Sequence, residues 1–362
     1  MILFLLMAAG IWALGRVMDA PSQARWLMLG LLYVGFLAVQ VVAPEGSGLD
    51  RATSPSVAGW LILGVLLGGA FLYRRWLKGL REQAAAKEEA QAEEARAATV
   101  PSGPFTDAEL DRYARHIVLR EIGGTGQRRL KEARVLVVGA GGLGAPALLY
   151  LAGAGVGTLG VIDHDRVDVS NLQRQVIHRD RDGGDPKVAS AMRAVKALNP
   201  GVDLRPYDRR LTEEIAADLV ADYDLVLDGT DDWDTRWAVN AACVARGVPL
   251  IAGAIAQWEG QVGLYATHLG GPCTACLFPA EPDPGTALTC AEGGVLGPLP
   301  GIVGSIMAAE AVKHVTGAGE TLLGRLMLFD ALHMEARTIQ AAPREDCPVC
   351  RGAGLRRAGT TA

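Results

Sequence analysis

Aromatic residues are scarce, 6% of a 362-residue chain, and cysteine and histidine number only six each. Six cysteines in so long a chain are too few for a disulfide scaffold, which excludes the small stapled secreted class. There is no excess of positive charge: 35 Lys and Arg stand against 40 Asp and Glu, a formal net charge of −5. Nucleic acid is therefore not expected as a main ligand, because a phosphate backbone is held by a basic field. The histidines show no paired metal spacing, no Ser-His-Asp set is apparent, and no internal repeat is visible. What the chain has in plenty is hydrophobic residues, 50% of the whole, and enough length for roughly two domains. That composition excludes disorder.

The mean hydropathy of +0.20 is high, and the excess lies almost entirely before Tyr73. Met1–Gly15, Trp26–Pro44 and Ala52–Tyr73 carry no charged side chain. A helix of roughly 20 apolar residues crosses a bilayer core, so two or three transmembrane helices are expected within residues 1–78. A signal peptide is not, since the basic start and small-residue cleavage site are missing. Arg74, Arg75, Lys78 and Arg81 follow the last run. Basic residues stay on the cytoplasmic side, so the expectation is a multi-pass inner-membrane protein whose remaining chain is cytoplasmic. Residues 79–104, rich in Ala and Glu and broken at Pro101-Ser-Gly-Pro104, read as a helical linker.

Residues 105–352 read as one globular unit, with 353–362 as a flexible tail. Thr106-x-x-Glu109 is a capping box that starts a helix. Arg134-Val-Leu-Val-Val-Gly139 is a continuous apolar strand of the kind buried on both faces in a parallel sheet. It runs into Gly139, Gly141, Gly142 and Gly144, and then into an Ala- and Leu-rich helix. Glycines there allow a tight turn and close approach of backbone N–H groups to a polyphosphate at the helix N-terminus. A second strand ends at Asp163, about 20 residues on, where a carboxylate can accept ribose hydroxyls.

A nucleotide signature of this kind leaves a nicotinamide-dependent dehydrogenase and an ATP-using adenylating enzyme both open. A triphosphate that is split needs more positive charge than a bridging pyrophosphate. Asn171, Gln173, Arg174 and Lys187 supply such groups in a short stretch, although any one of them could simply be solvated. The remaining chemistry lies in cysteine. Cys273-x-x-Cys276 and Cys347-x-x-Cys350 have the spacing of zinc knuckles, and four thiolates make a closed structural site. Two separate redox pairs are the alternative. Cys290 lies in a loop where a nucleophilic and an inert role are equally open, and Cys243 reads as a packed core residue.

Arg112-Tyr-x-Arg115, Gly139-x-Gly-Gly-Leu-Gly144, Ser170-Asn-Leu-Gln-Arg-Gln175, Thr230-Asp231 and the two cysteine pairs together resemble the E1-like ThiF/MoeB/HesA adenylyltransferases. The spacing is most similar to the molybdopterin-synthase adenylyltransferases. The resemblance covers about Phe105 to Gly352 and leaves out the N-terminal runs, which are unusual for that family. It implies an α/β fold: a Rossmann-like ATP-binding domain with a mixed sheet and a structural Zn²⁺ site, here preceded by the transmembrane helices. It implies that Gly142 lies against the phosphates, that Asp163 binds ribose, and that Asn171, Arg174 and Lys187 contact the triphosphate, with Asp231 holding Mg²⁺.

In such enzymes Arg115 reaches the partner's ATP site across a homodimer, and Cys290 can take the activated carrier. The reaction implied is attack of the C-terminal Gly-Gly carboxylate of a ubiquitin-like sulfur-carrier protein on ATP, serving molybdenum cofactor or thiamine biosynthesis. No rhodanese-like module follows Cys350, so a separate sulfur donor protein is expected. Other readings are a tRNA threonylcarbamoyladenosine dehydratase-like enzyme, for which the cysteine pairs are atypical, and a non-catalytic scaffold that docks the carrier. Asp232 departs from the family's usual Asn; it either sits beside Mg²⁺ or caps the following helix.

Overall fold

A computed structural model describes residues 2–19, 21–42, 58–80 apart from 63, 67, 70 and 71, then 103–281 and 293–351. The chain divides into two compact units, Met1–Val100 and Pro101–Ala362.

In the first unit, α1 (Ile2–Val17) and α2 (Ser22–Val42) pair, and helical residues between 58 and 80 join them. Aromatic rings hold the unit together. Phe4 meets Phe36 and Trp60 edge-on at 5.4 and 5.0 Å, Trp60 is fully buried, and the Tyr33 hydroxyl donates to its carbonyl. The membrane expectation fails here. Among the described residues no helix is long and apolar enough to cross a membrane. The 16 residues of α1 rise about 24 Å against the roughly 30 Å of a bilayer core. The first turn of α2 goes to Ser22-Gln-Ala-Arg25, which leaves Trp26–Val42, still short of the roughly 20 residues a span needs. The expected run Ala52–Tyr73 is described only in short helical pieces from 58 onward. The transmembrane helices, the membrane anchoring and the inner-membrane location are therefore withdrawn. Residues 81–102 of the linker expected over 79–104, and the whole of the tail expected over 353–362, lie outside the described residues.

The second unit opens with α3 (Asp107–Ile117), where the capping box forms: Thr106 N donates to Glu109 Oε2 at 2.8 Å, and Glu109 N to Thr106 Oγ1 at 3.3 Å. After α4 (Gly123–Glu132) come β1 (Arg134–Val138), α5 (Gly144–Ala154), β2 (Thr158–Asp163), α6 (Lys187–Leu198), β3 (Asp203–Asp208), α7 (Glu213–Ala221) and β4 (Leu225–Asp228). Then follow α8 (Trp233–Arg246), β5 (Leu250–Ile255), β6 (Glu259–Tyr265), α9 (Thr274–Leu277), α10 (Pro298–Thr316), β7 (Arg325–Asp330) and β8 (Glu335–Gln340). One eight-stranded sheet results, in the order β3-β2-β1-β4-β5-β6-β7-β8. The first five strands are parallel and the last three antiparallel, so the expected α/β mixed sheet is present.

The apolar run of β1 explains its central place. Successive side chains of a strand point to opposite faces, so Val135 and Val137 enter one core with Leu148 and Leu151 of α5 and Val303 and Met307 of α10. Leu136 and Val138 enter the other, with Val226, Val239 and Leu250. The long helix α10 lies tight on the sheet because the strands beneath it carry glycine. A Cβ on Gly253 would meet the Met307 sulfur at 2.5 Å, and one on Gly260 would collide with Val303.

Candidate functional site

The carboxyl ends of β1, β2, β3 and β4 open on one cavity of about 890 Å³. It lies where the strand order departs in two directions, from β1 toward β3 and from β4 toward β5. Open α/β sheets bind ligands at such a switch point.

The glycine turn makes the floor. Gly139 leaves β1 in the left-handed region, φ +91°, which disfavours any side chain. Gly142 has no room for one, since a Cβ would lie 2.9 Å from Pro300 of α10. Gly139, Gly141 and Gly142 line the cavity, whereas Gly144 lies behind them, packed on the Gly139 carbonyl. Asp163 braces the turn: Oδ2 accepts from Ala140 N at 2.7 Å and Oδ1 from Asp165 N at 2.8 Å. Each oxygen keeps a lone pair for a ligand hydroxyl. Buried His178 supports the turn from the other side, donating through Nε2 to the Ala140 carbonyl at 3.0 Å. Burial pushes its pKa down, and the nearby Lys187 charge adds to the effect against the hydrogen bond to Ala140.

Two cations, Arg174 and Lys187, line the same cavity, each resting on a local acceptor. Arg174 donates to Asn171 Oδ1 at 2.8 Å, a neutral partner that leaves its charge uncancelled. Lys187 is buried at the start of α6, its Nζ 2.7 Å from Asp165 Oδ2. A buried ammonium without such a partner would be costly. Burial pushes the Asp165 carboxyl up, but the hydrogen bond and charge of Lys187, aided by His164 and Arg210, outweigh it and hold the group below the usual carboxylate range.

From β4 comes the turn Asp228-Gly-Thr-Asp231. Buried Asp228 accepts both the N–H and the hydroxyl of Thr230 on Oδ1, at 2.9 and 2.6 Å. Arg236 of α8 donates to the carbonyls of Thr230, at 2.9 Å, and Gly253, at 2.6 Å. With the turn pinned from both sides, Asp231 stands exposed on the cavity wall. Asp232 is the N-cap of α8, accepting from Thr235 N at 3.0 Å, and pairs with Arg210 at 2.6 Å. The capping role is thus present.

Of the candidates from sequence, the structure brings together Gly139, Gly141, Gly142, Asp163, Asn171, Arg174, Lys187 and Asp231. Gln173 sits instead against Gly297, and Arg115, exposed on α3, does not line the cavity. Cys290 lies outside the described residues. Asp165, His178, Arg210, Asp228 and Arg236 were not singled out from sequence. Asp228 carried a signal, an acid ending an apolar strand as Asp163 does; the others depend on which strands become neighbours.

Away from the cavity, Cys273, Cys276, Cys347 and Cys350 are all buried, their sulfurs within 4.8 Å of one another. Cys273 lies 3.8 Å from Cys276 and 3.5 Å from Cys347, and Cys276 lies 3.5 Å from Cys350. Four thiolates at the usual Zn–S length of about 2.3 Å would stand about 3.8 Å apart on a tetrahedron, so the set fits Zn²⁺. Within the cluster the hydrogen bond from Cys273 pushes the Cys276 thiol down, with the Arg344 N–H and Cys350 adding to it against burial, and pushes Cys273 up. Cys243 is buried, and its thiol pushed up by that burial, as a packed residue should be.

Residues 113–349 match the ThiF family. The chain is 50% identical over 250 residues to the sulfur carrier protein adenylyltransferase of Thermus thermophilus, covering 68% of this chain and 92% of that one. It is also 50% identical over 247 residues to the SAMP-activating enzyme E1 of Haloferax volcanii, covering 68% and 91%. Among solved structures, E. coli MccB with ATP superposes with a TM-score of 0.59 at 22% identity, over 66% of this chain and 74% of that one, a likeness of fold.

Proposed function

The chain belongs to the ThiF family and is an adenylyltransferase of the E1-like type; from that premise we propose that it adenylates the C-terminal Gly-Gly carboxylate of a ubiquitin-like sulfur-carrier protein. The carrying observation is that Arg174, Lys187 and Asp231 line the same cavity as the glycine turn, since a triphosphate that is split needs more positive charge than a bridging pyrophosphate. The substrate class comes from the relatives, which are named for sulfur carrier and SAMP activation.

A carboxylate oxygen of the carrier attacks the α-phosphorus of ATP. The new P–O bond forms as the bond to the β-phosphate oxygen breaks, and the pair of electrons leaves with pyrophosphate. No proton moves, so no general base is needed; the barrier is charge. Arg174 and Lys187 face the charge that builds on the leaving phosphates, a preorganised electrostatic contribution. Asp163 offers its free lone pairs to the ribose hydroxyls, and the backbone N–H groups of Gly141 and Gly142 face the phosphates. Mg²⁺, held by Asp231, would supply further charge neutralisation at the phosphates. Asn171 orients Arg174 and leaves its charge available.

Two further parts complete the reading. Zn²⁺ on the four cysteines is structural, with all four positions filled by protein and none open to substrate. Arg115 serves the site of a second copy in a homodimer, which accounts for an exposed arginine that does not line its own cavity. ATP–pyrophosphate exchange by the full chain, against a panel of Gly-Gly-ended carriers, tests the proposal. Exchange should require a carrier and disappear in Asp231→Ala and in Arg115→Ala. Mixing those two variants should restore part of it, because one mixed site is intact. Exchange without any carrier, or reduction of a nicotinamide, would overturn the reading.

A further inference from the structure

The segment that follows β3 does not run away from the cavity. Leu211 is buried in the same core as Val138, Ile162 and Val226, so Arg209 and Arg210 are held along the cavity wall, which both line. From there the Arg210 guanidinium reaches Asp232 Oδ2 at 2.6 Å. Asp232 follows β4, and β4 is separated from β3 in the sheet by both β2 and β1. One ion pair therefore ties together two segments from opposite sides of the switch point. Its acid is also fixed in place by capping α8.

Strand order says which part of a nucleotide lies beneath. A triphosphate on the glycine turn after β1 and a ribose at Asp163, the end of β2, leave the base toward the end of β3. We propose that Arg210 and Asp232 form a clasp over the adenosine end of the nucleotide, acting as positioning residues that hold the segment 209–211 against it. The clasp rests on the adenylation reading. It assigns the pair to nucleotide affinity and not to the chemical step, and it makes that affinity depend on the base side of the molecule.

Asp232→Asn keeps a good N-cap and removes the charge, and Arg210→Gln removes the other partner. In the full chain, each should weaken ATP binding about three- to tenfold, the scale of a partly exposed pair and the segment it orders. Each should raise KM for ATP while changing kcat less than twofold. The double variant should be no weaker than the weaker single, since one interaction is lost only once. Inorganic tripolyphosphate, which has no base or ribose, should lose less affinity than ATP in each variant. ATP affinity unchanged in both variants, or ATP and tripolyphosphate weakened equally, overturns the clasp. Thermal midpoints of the variants should match the unaltered chain; a shared fall in midpoint with no KM shift also overturns it. Failure of the adenylation reading would look different, as no ATP binding by the unaltered chain.

Discussion

The cavity at the strand ends and the cysteine cluster each gather polar atoms from separate segments of the sheet unit, yet they treat those atoms in opposite ways. In the cluster, four buried sulfurs face one another and nothing else is needed but a cation. In the cavity three cations rest on partners that a ligand can replace or share: Lys187 on Asp165, Arg174 on Asn171, Arg210 on Asp232. A closed site stabilises the fold; an open one with half-satisfied donors exchanges what it holds. The contrast separates what should change stability from what should change rate.

The largest effect expected is on the closed side. Cys347→Ser, or a strong chelator, should lower the thermal midpoint of the sheet unit by on the order of 10 °C. That corresponds to about 4 kcal/mol at roughly 2–4 °C per kcal/mol for a unit of this size, a fraction of what structural zinc contributes in small domains. Metal analysis should find one zinc per chain. If ATP affinity falls in the variant while the midpoint stays, the cluster is not the structural half of the pair. Next comes Lys187→Met, which should cut pyrophosphate exchange about 10²- to 10³-fold, the scale for one preorganised electrostatic group. Circular dichroism and the midpoint should show the fold kept.

How far each site could be read from sequence follows from the same contrast. The cysteine pairs declare themselves because the ligand chemistry fixes both residue type and spacing. The glycine turn and Asp163 do so because strand, turn and acid follow each other within one βαβ unit. Arg210 and His178 could not be read, since their roles arise only once β3, β2, β1 and β4 are neighbours, and no local pattern encodes that order. Asp232 was legible in part: its cap follows from the sequence, its ion pair does not. The N-terminal runs misled for another reason. Freedom from charge does not set helix length: α1 stops at 16 residues, and the first turn of α2 is Ser22-Gln-Ala-Arg25.

A smaller effect should follow from Gly144→Ala. A side chain there would strike the Gly139 carbonyl, and neither backbone can yield without reshaping the turn. We expect about 1–3 kcal/mol of lost stability, the range for overpacking, together with a tenfold or greater rise in KM for ATP. The equivalent change at Gly153, where a Cβ would meet nothing within 4 Å, should leave KM alone and raise helix stability slightly. Equal behaviour of the two variants would mean that the turn does not set affinity.

The smallest effect expected is a pH slope from His178, and its sign is fixed by burial. The folded protein holds this imidazole below its ordinary value of 6.5. Between the folded value and 6.5 the unfolded chain therefore binds more protons, so stability is fully present above about pH 6.5 and is lost as pH falls through that window. One group can contribute a slope of at most one proton, under about 1.4 kcal/mol per pH unit. His314, also pushed down by burial, adds to the same window, so the quantity to measure is the difference between the unaltered chain and His178→Gln, whose amide can still donate to the Ala140 carbonyl. Urea titrations at pH 5.5, 6.5 and 7.5 should give a shallower slope for the variant. Because His178 holds the turn from which Ala140 N reaches Asp163, the acid loss should be accompanied by weaker ATP binding in the unaltered chain and less so in the variant. Parallel slopes would remove His178 from the cavity's support and leave the turn to Asp163 alone.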